Sequence, residues 1–301
     1  VRVPLASLKP SDVQPLIPGP PLWVQDLLGR SPLQRDGMVD VVSSGGVSLF
    51  STSVPGAAAM PADDLRTAVT HAYSAIADAL GHGVHLHPVR FWNFLPYPGA
   101  QMGNGLDRYM VFNAGRFDAY AQWYGTPREF SHSLATASAV GVASDDYVLY
   151  CLASTSPGSP VENPRQTPAW KYSRRYGPKP PCFARATIAP IDGRPRLLIG
   201  GTASILGEDS VHVGDVHAQV DETLRNMSAL IAAARRDDTE STASVLARMT
   251  SIRIYIRDAG DAGAILSAVE QVCREDASIE AAVADVCRPE LLVEIEAIAD
   301  L

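Results

Sequence analysis

The same order of elements appears twice along this chain, and that recurrence restricts the fold more than any other feature. In the first half, alternating stretches at residues 38–42 and 47–51 are split by the turn signal Ser43-Ser44-Gly45-Gly46. A helix is expected over residues 61–80. Pro61 suits a first turn, Asp63 and Asp64 complement the N-terminal dipole, and Leu65, Val69, Ile76 and Leu80 recur at helical spacing. A strand over 84–95, a helix around 117–124 and strands within 139–153 follow. In the second half, a strand at 196–200 leads to a helix over 215–234, whose Val216, Val220, Leu224, Met227 and Ile231 form one apolar stripe. A strand at 251–257, a helix over 262–273 and the closing strands complete it. Recurrence of helix, strand, helix, strand implies an internal duplication. The expected architecture is α/β, with two similar halves, each a mixed β-sheet with helices packed on one face.

The Ser/Pro/Gly-rich stretch at 154–168 marks the expected boundary. It divides an N-terminal domain (1–160) from a C-terminal domain (161–301). The first 35 or so residues are rich in proline and read as an extended arm, with Leu22, Trp23, Leu27 and Leu28 as anchors. No apolar run approaches membrane-spanning length and no leader pattern is visible, so a soluble cytoplasmic protein is expected, without a membrane partner. Four cysteines lie far apart with no C-x-x-C, which fits reduced thiols rather than a disulfide scaffold or zinc. A net charge of −8 argues against nucleic acid as a partner.

Chemistry concentrates in three places. Near the end, Val293-Glu294-Ile295-Glu296-Ala297-Ile298-Ala299 alternates with period two, so Glu294 and Glu296 share one face and Val293 and Ile295 take the other. By itself that pattern reads as an amphipathic strand with two solvated acids. In mid-chain, eight basic residues between Arg165 and Arg196 face a single acid, Asp192, and Tyr172 and Tyr176 are interleaved. Arginine forks with tyrosine hydroxyls would clamp carboxylates; a solvated basic loop is the plain alternative. Third, His85 and His87 would point to one side of a strand, but no carboxylate or cysteine lies near them, so no metal site is expected.

The run Val293–Ala299 after Pro289 resembles the closing strand of the reactive-intermediate deaminase superfamily, where the first glutamate lines a pocket. Cys287 placed seven residues before Glu294 resembles the chorismatases, enzymes built on that fold which remove pyruvate from chorismate. Arg165-Gln166-Thr167-Pro168-Ala169-Trp170, Arg174-Arg175-Tyr176-Gly177-Pro178, Phe183-Ala184-Arg185-Ala186 and Gly201-Thr202-Ala203-Ser204 resemble the corresponding chorismatase stretches. The resemblance implies two deaminase-like halves, the first degenerate, with the acid in the second. The deaminases carry an arginine about fifteen residues before the pocket glutamate; here that region reads Ala277-Ser278-Ile279-Glu280-Ala281-Ala282.

What the resemblance implies about chemistry is specific. Glu294 would be the general acid for the departing enolpyruvyl group, with Glu296 its competitor. Tyr172, Arg175, Tyr176, Arg185, Ser204 and, more weakly, Arg253 would hold a dianionic small molecule, chorismate, with no cofactor. Alanines at the positions of Gly200 and Cys287 mark the water-adding subtype; glycine and cysteine there resemble the 3-hydroxybenzoate-forming type, in which the ring's own hydroxyl displaces the side chain. The expected function is therefore conversion of chorismate to 3-hydroxybenzoate and pyruvate. A chorismate hydrolase yielding a dihydroxycyclohexadiene carboxylate, an imine deaminase and an inactive anion-binding relative are the alternatives. Superfamily relatives form trimers with pockets between subunits, and a duplicated chain could supply part of that interface itself, so monomer and homotrimer both stay open.

Overall fold

The computed structural model of the chain describes residues 8–81, 86–126 and 130–301. Its first half runs β1 (Gln14–Pro15), α1 (Leu22–Leu28), β2 (Gln34–Asp36), β3 (Val39–Ser44), β4 (Val47–Val54), α2 (Ala62–Gly81) and β5 (His87–Pro96). It continues with β6 (Gln101–Gly103), β7 (Leu106–Asp107), α3 (Arg108–Tyr124), β8 (Thr136–Val142) and β9 (Tyr147–Ser154). The second half begins with β10 (Ser159–Val161), β11 (Ala186–Ile191), β12 (Arg194–Thr202), β13 (Ile205–Leu206), β14 (Asp209–Ser210) and α4 (Val216–Arg235). It ends with α5 (Thr242–Leu246), β15 (Met249–Ile256), α6 (Ala262–Glu270), β16 (Ser278–Val283) and β17 (Val293–Asp300).

Strand order carries the duplication. The first sheet reads β2-β3-β4-β9-β5-β8 and the second β1-β16-β15-β17-β12-β11-β10. Within them β3-β4-β9-β5-β8 corresponds step for step to β11-β12-β17-β15-β16. The two parallel pairs also correspond, β5 with β8 and β15 with β16, each joined through a helix crossover. The α/β architecture of two similar mixed sheets with helices is as the element order implied.

Period-two alternation then fixes the layers. One face of the first sheet presents Phe91, Leu149 and Cys151 to Leu65, Val69 and Ile76 of α2 and Phe112 and Tyr120 of α3. One face of the second presents Val293, Ile295 and Ala297 to Leu224, Met227 and Ile231 of α4 and Ile265 and Val269 of α6. The remaining faces meet each other through Trp92, Phe94, Leu152, Leu198, Tyr255 and Ile298. Helices therefore stand outside and the sheets pack face to face. Each fully buried side chain of this kind contributes about 1.5–3 kcal/mol, so the inner layer joins the halves firmly. The proline-rich arm crosses to the other half: β1 pairs in parallel with β16, Gln14 opposite Ala282, and Val24 and Leu28 of α1 join the inner layer.

One local difference from the sequence reading has a physical cause. Helix α3 starts at Arg108, not near residue 117, because the Asp107 side chain caps it by accepting from the Met110 backbone N–H at 2.7 Å. Gly115, which weakens a helix by propensity, is there because α2 crosses over it; a Cβ would stand 2.5 Å from the Arg66 carbonyl oxygen. Of the two histidines considered for metal, His85 lies outside the described residues and His87 is a partly buried residue of β5.

Candidate active site

Glu294, Glu296 and Ile298 point from β17 into the inner layer, because their odd-numbered neighbours face α4 and α6. Both acids are buried, Glu294 at 4% and Glu296 at 3% exposure, yet they are treated oppositely. Glu296 meets the first sheet. It accepts from Arg90 Nη2 at 2.5 Å, from Ser138 Oγ at 2.6 Å and from Trp92 Nε1 at 2.9 Å. Arg90 and Trp92 alternate on β5, and Ser138 lies on β8 beside it.

Glu294 projects one step further, into a cavity of about 220 Å³. Among the described residues no hydrogen-bond donor or cation pairs with its carboxyl group. Burial, then the charge of Glu296, push its pKa up to about 8, against smaller opposing effects of Arg90 and Arg185. Beneath it the strand has no room for a side chain: a Cβ on Gly201 would stand 1.7 Å from Glu294 Oε1. That approach is made by the irregular pairing of β12 with β17 between Ile199 and Thr202.

Cations and aromatic rings enclose the acid. Arg185 donates to Tyr172 Oη at 2.6 Å and to the Thr167 carbonyl at 3.1 Å. Arg288 stacks 3.9 Å over the Tyr176 ring and donates to the Glu208 carbonyl and Ser210 Oγ. Arg116 of α3 also lines the cavity, 1% exposed, donating to Asn113 Oδ1 at 2.7 Å and lying over Phe112 and Phe183. No carboxylate among the described residues pairs with Arg116. Three buried guanidiniums, Arg116, Arg185 and Arg288, line one cavity with this acid, an arrangement whose chemistry suits carboxylate groups.

A family model described as "Chorismatase FkbO/Hyg5-like, N-terminal" matches residues 25–153. A 3-hydroxybenzoate synthase of Streptomyces hygroscopicus is 32% identical over 287 residues, covering 92% of this chain and 80% of that protein. A chorismatase of Streptomyces rapamycinicus is 33% identical over 255 residues, 81% of this chain and 73% of that one. The crystal structure of a chorismatase superposes with TM-score 0.78 at 26% identity, covering 89% of this chain and 79% of that chain. The chain belongs to the chorismatase family.

Within this chorismatase-family chain, six of the residues singled out in the sequence line the cavity: Tyr172, Arg175, Tyr176, Arg185, Cys287 and Glu294. Arg175 does so from the rim. Its side chain is 57% exposed and ion-paired with Asp209. Cys287 is partly buried and its thiol is pushed up to about 12 by burial and then by Glu294, so it stands there as a neutral S–H.

Three residues are elsewhere. Ser204 is fully buried and donates to the Val211 carbonyl at 2.9 Å, closing the turn into β13. Arg253 reaches the arm, donating to the Gly19 carbonyl at 2.8 Å, and lies beneath Glu296 in a separate small crevice with Trp23 and Trp92. Gly200 is a packing glycine: a Cβ would meet Thr136 Cγ2 at 3.0 Å and the Arg185 carbonyl at 3.1 Å. The close approach to the acid belongs to Gly201, one residue on, because the irregular pairing breaks strict alternation there.

The basic mid-chain segment is also divided in use. Arg165 pairs with Glu222 at 2.8 Å and Arg196 with Asp300 at 3.1 Å, so both brace the second half. The cavity draws instead on Arg116 and Arg288, which the charge pattern did not pick out. Arg116 had one visible signal, a cation in the middle of a helix rich in aromatic residues. Ser138 had none.

Proposed function

We propose that the chain converts chorismate to 3-hydroxybenzoate and pyruvate, with Glu294 as the general acid. The observation that carries this reading is the contrast on β17: one carboxylate clamped by three donors, and its neighbour, unpaired among the described residues, in an enclosed cationic cavity with its pKa pushed up to about 8. An acid that keeps its proton at neutral pH suits protonation of an enol ether. Chorismate is a dianion, and Arg116, Arg185 and Arg288 are the cations available to its two carboxylates.

In this reading Glu294 delivers its proton to the enolpyruvyl group, and the bond between ring carbon and ether oxygen breaks with its electron pair leaving on pyruvate. The ring's own hydroxyl oxygen bonds to the ring carbon that the ether oxygen leaves, and its bond to its original carbon then breaks. The carbon it now occupies loses its proton as the ring aromatises, so that one proton is released in net and restores the acid. Substrate atoms equal product atoms, so no water is consumed. Cys287, a neutral thiol on the cavity wall, steers the ring hydroxyl. The relative named 3-hydroxybenzoate synthase supports this subtype over the hydrolytic one.

Incubation of purified protein with chorismate, followed by chromatography and mass analysis, decides the matter. Equal amounts of 3-hydroxybenzoate and pyruvate are expected. A dihydroxycyclohexadiene carboxylate would assign the hydrolytic subtype, and absence of pyruvate would remove the proposal. Cys287→Ala is expected to shift product toward the diol; an unchanged ratio would deny the thiol its role.

A further inference from the structure

The inner layer holds a buried polar cluster that the chemistry above does not use. Glu296 sits two residues from Glu294 on the same strand face, with both oxygens engaged: Oε2 by Arg90 and Ser138, Oε1 by Trp92. Ser138 does more than donate to Glu296. Its Oγ also accepts from the Gly201 backbone N–H at 2.9 Å. Gly201 is the residue over whose Cα the Glu294 carboxyl lies. One hydroxyl thus ties the clamped acid to the backbone under the free acid, and it comes from the other half of the duplicated chain.

We propose that Glu296, held by Arg90, Trp92 and Ser138, is a positioning residue that keeps Glu294 protonated and aimed into the cavity. Two physical links carry it. A carboxylate fixed next to another carboxyl disfavours ionisation of the second, since two like charges in a desolvated layer repel strongly. The three donors occupy both Glu296 oxygens and hold that carboxylate in place, while the Glu294 carboxyl is left facing the cavity. The raised pKa of Glu294, with Glu296 its largest cause after burial, agrees with this.

Other charged and titratable groups face Glu294 from each packed element. Arg90 comes from β5, Tyr255 from β15, Tyr109 and Arg116 from α3, and Arg185 from the segment before β11. Cys287, Arg288 and Glu290 come from the loop before β17. Of these, Arg90 and Arg185 oppose the effect of Glu296, and the tyrosines and thiol stay neutral near pH 8 because burial raises them. After burial, the charge of Glu296 is the largest influence that raises Glu294.

The inference rests on Glu294 being the acid of the proposed reaction, but its test does not. The Glu294 carboxyl is titrated directly by carbon NMR of glutamate-labelled protein, assigned with Glu294→Gln, in the wild type, Glu296→Gln and Glu296→Asp. Glu296→Gln keeps shape and removes charge, so the Glu294 titration is expected to fall by about one pH unit or more. Glu296→Asp keeps the charge and is expected to restore most of it. The same direction is expected in the alkaline limb of kcat/KM for chorismate. An unmoved Glu294 titration in Glu296→Gln would overturn the proposal. Should that variant not fold, Ser138→Ala is titrated instead: loss of one donor to Glu296 is expected to change the Glu294 titration, and no change overturns the proposal equally. Movement of the titration without chorismate turnover in the wild type would sink the reaction and leave this coupling standing.

Discussion

Glu294 lies over Gly201 so closely that a Cβ built on the glycine would stand 1.7 Å from the acid's Oε1. Gly201→Ala therefore has to push the carboxyl group aside or move strand β12. We expect turnover to fall about 100-fold or more with the protein folded, since small displacement of a reacting group has that effect. Gly200→Ala meets backbone and Thr136 instead, and its expected effect is a loss of about 1–3 kcal/mol in stability. Steady-state kinetics and denaturant melts on the two alanine variants separate these outcomes; equal kinetic losses would contradict the assignment.

Turnover should follow the protonated form of Glu294. Activity is expected to be flat through neutral pH and to fall tenfold per unit above about pH 8, where this group loses its proton. Glu294→Gln cannot donate, and its kcat is expected to fall about 100- to 10,000-fold. A variant still showing the alkaline limb would place the titration on another group.

The same shift has a consequence for stability. Glu294 takes up its proton near pH 8 when folded, against an ordinary value of 4.5, so the folded state binds more protons between those limits. Its contribution is full below about pH 4.5 and declines as pH rises toward 8. Glu294→Gln has no such titration. Its stability relative to the wild type is expected to increase across that window, by up to a few kcal/mol, read from urea melts at several pH values. A constant difference would mean the acid is not buried as described.

The cations should divide by burial. Arg116 is 1% exposed and, among the described residues, has no carboxylate partner; Arg116→Met is expected to raise KM for a dianionic substrate about 10- to 100-fold. Arg175 is 57% exposed and already paired with Asp209, so Arg175→Ala is expected to change KM by less than about fivefold. The reverse ranking would put the anion site at the rim.

Much of this was legible in the chain because it is local. Helix α2 (Ala62–Gly81) was expected over 61–80, α4 (Val216–Arg235) over 215–234 and β15 (Met249–Ile256) over 251–257, since each carries its own apolar period. Period two also put Glu294 and Glu296 on one face, and the repeated element order implied the repeated sheet. Tyr172, Tyr176 and Arg185 were marked by a reversal of charge within an acidic chain. By contrast, Arg165 and Arg196 shared that reversal and serve Glu222 and Asp300 instead.

What the sequence alone determined is the alternation and the duplication, because both depend only on spacing along the chain. Which of two equivalent glutamates is free was decided by the tertiary structure: Arg90, Trp92 and Ser138 reach Glu296 from 158 to 206 residues away. The same holds for Arg116, brought to the cavity by α3, and for Gly201, placed under the acid by irregular strand pairing. Desolvation and charge–charge distance set a proton's place, and both are properties of packed neighbours rather than of residues in line.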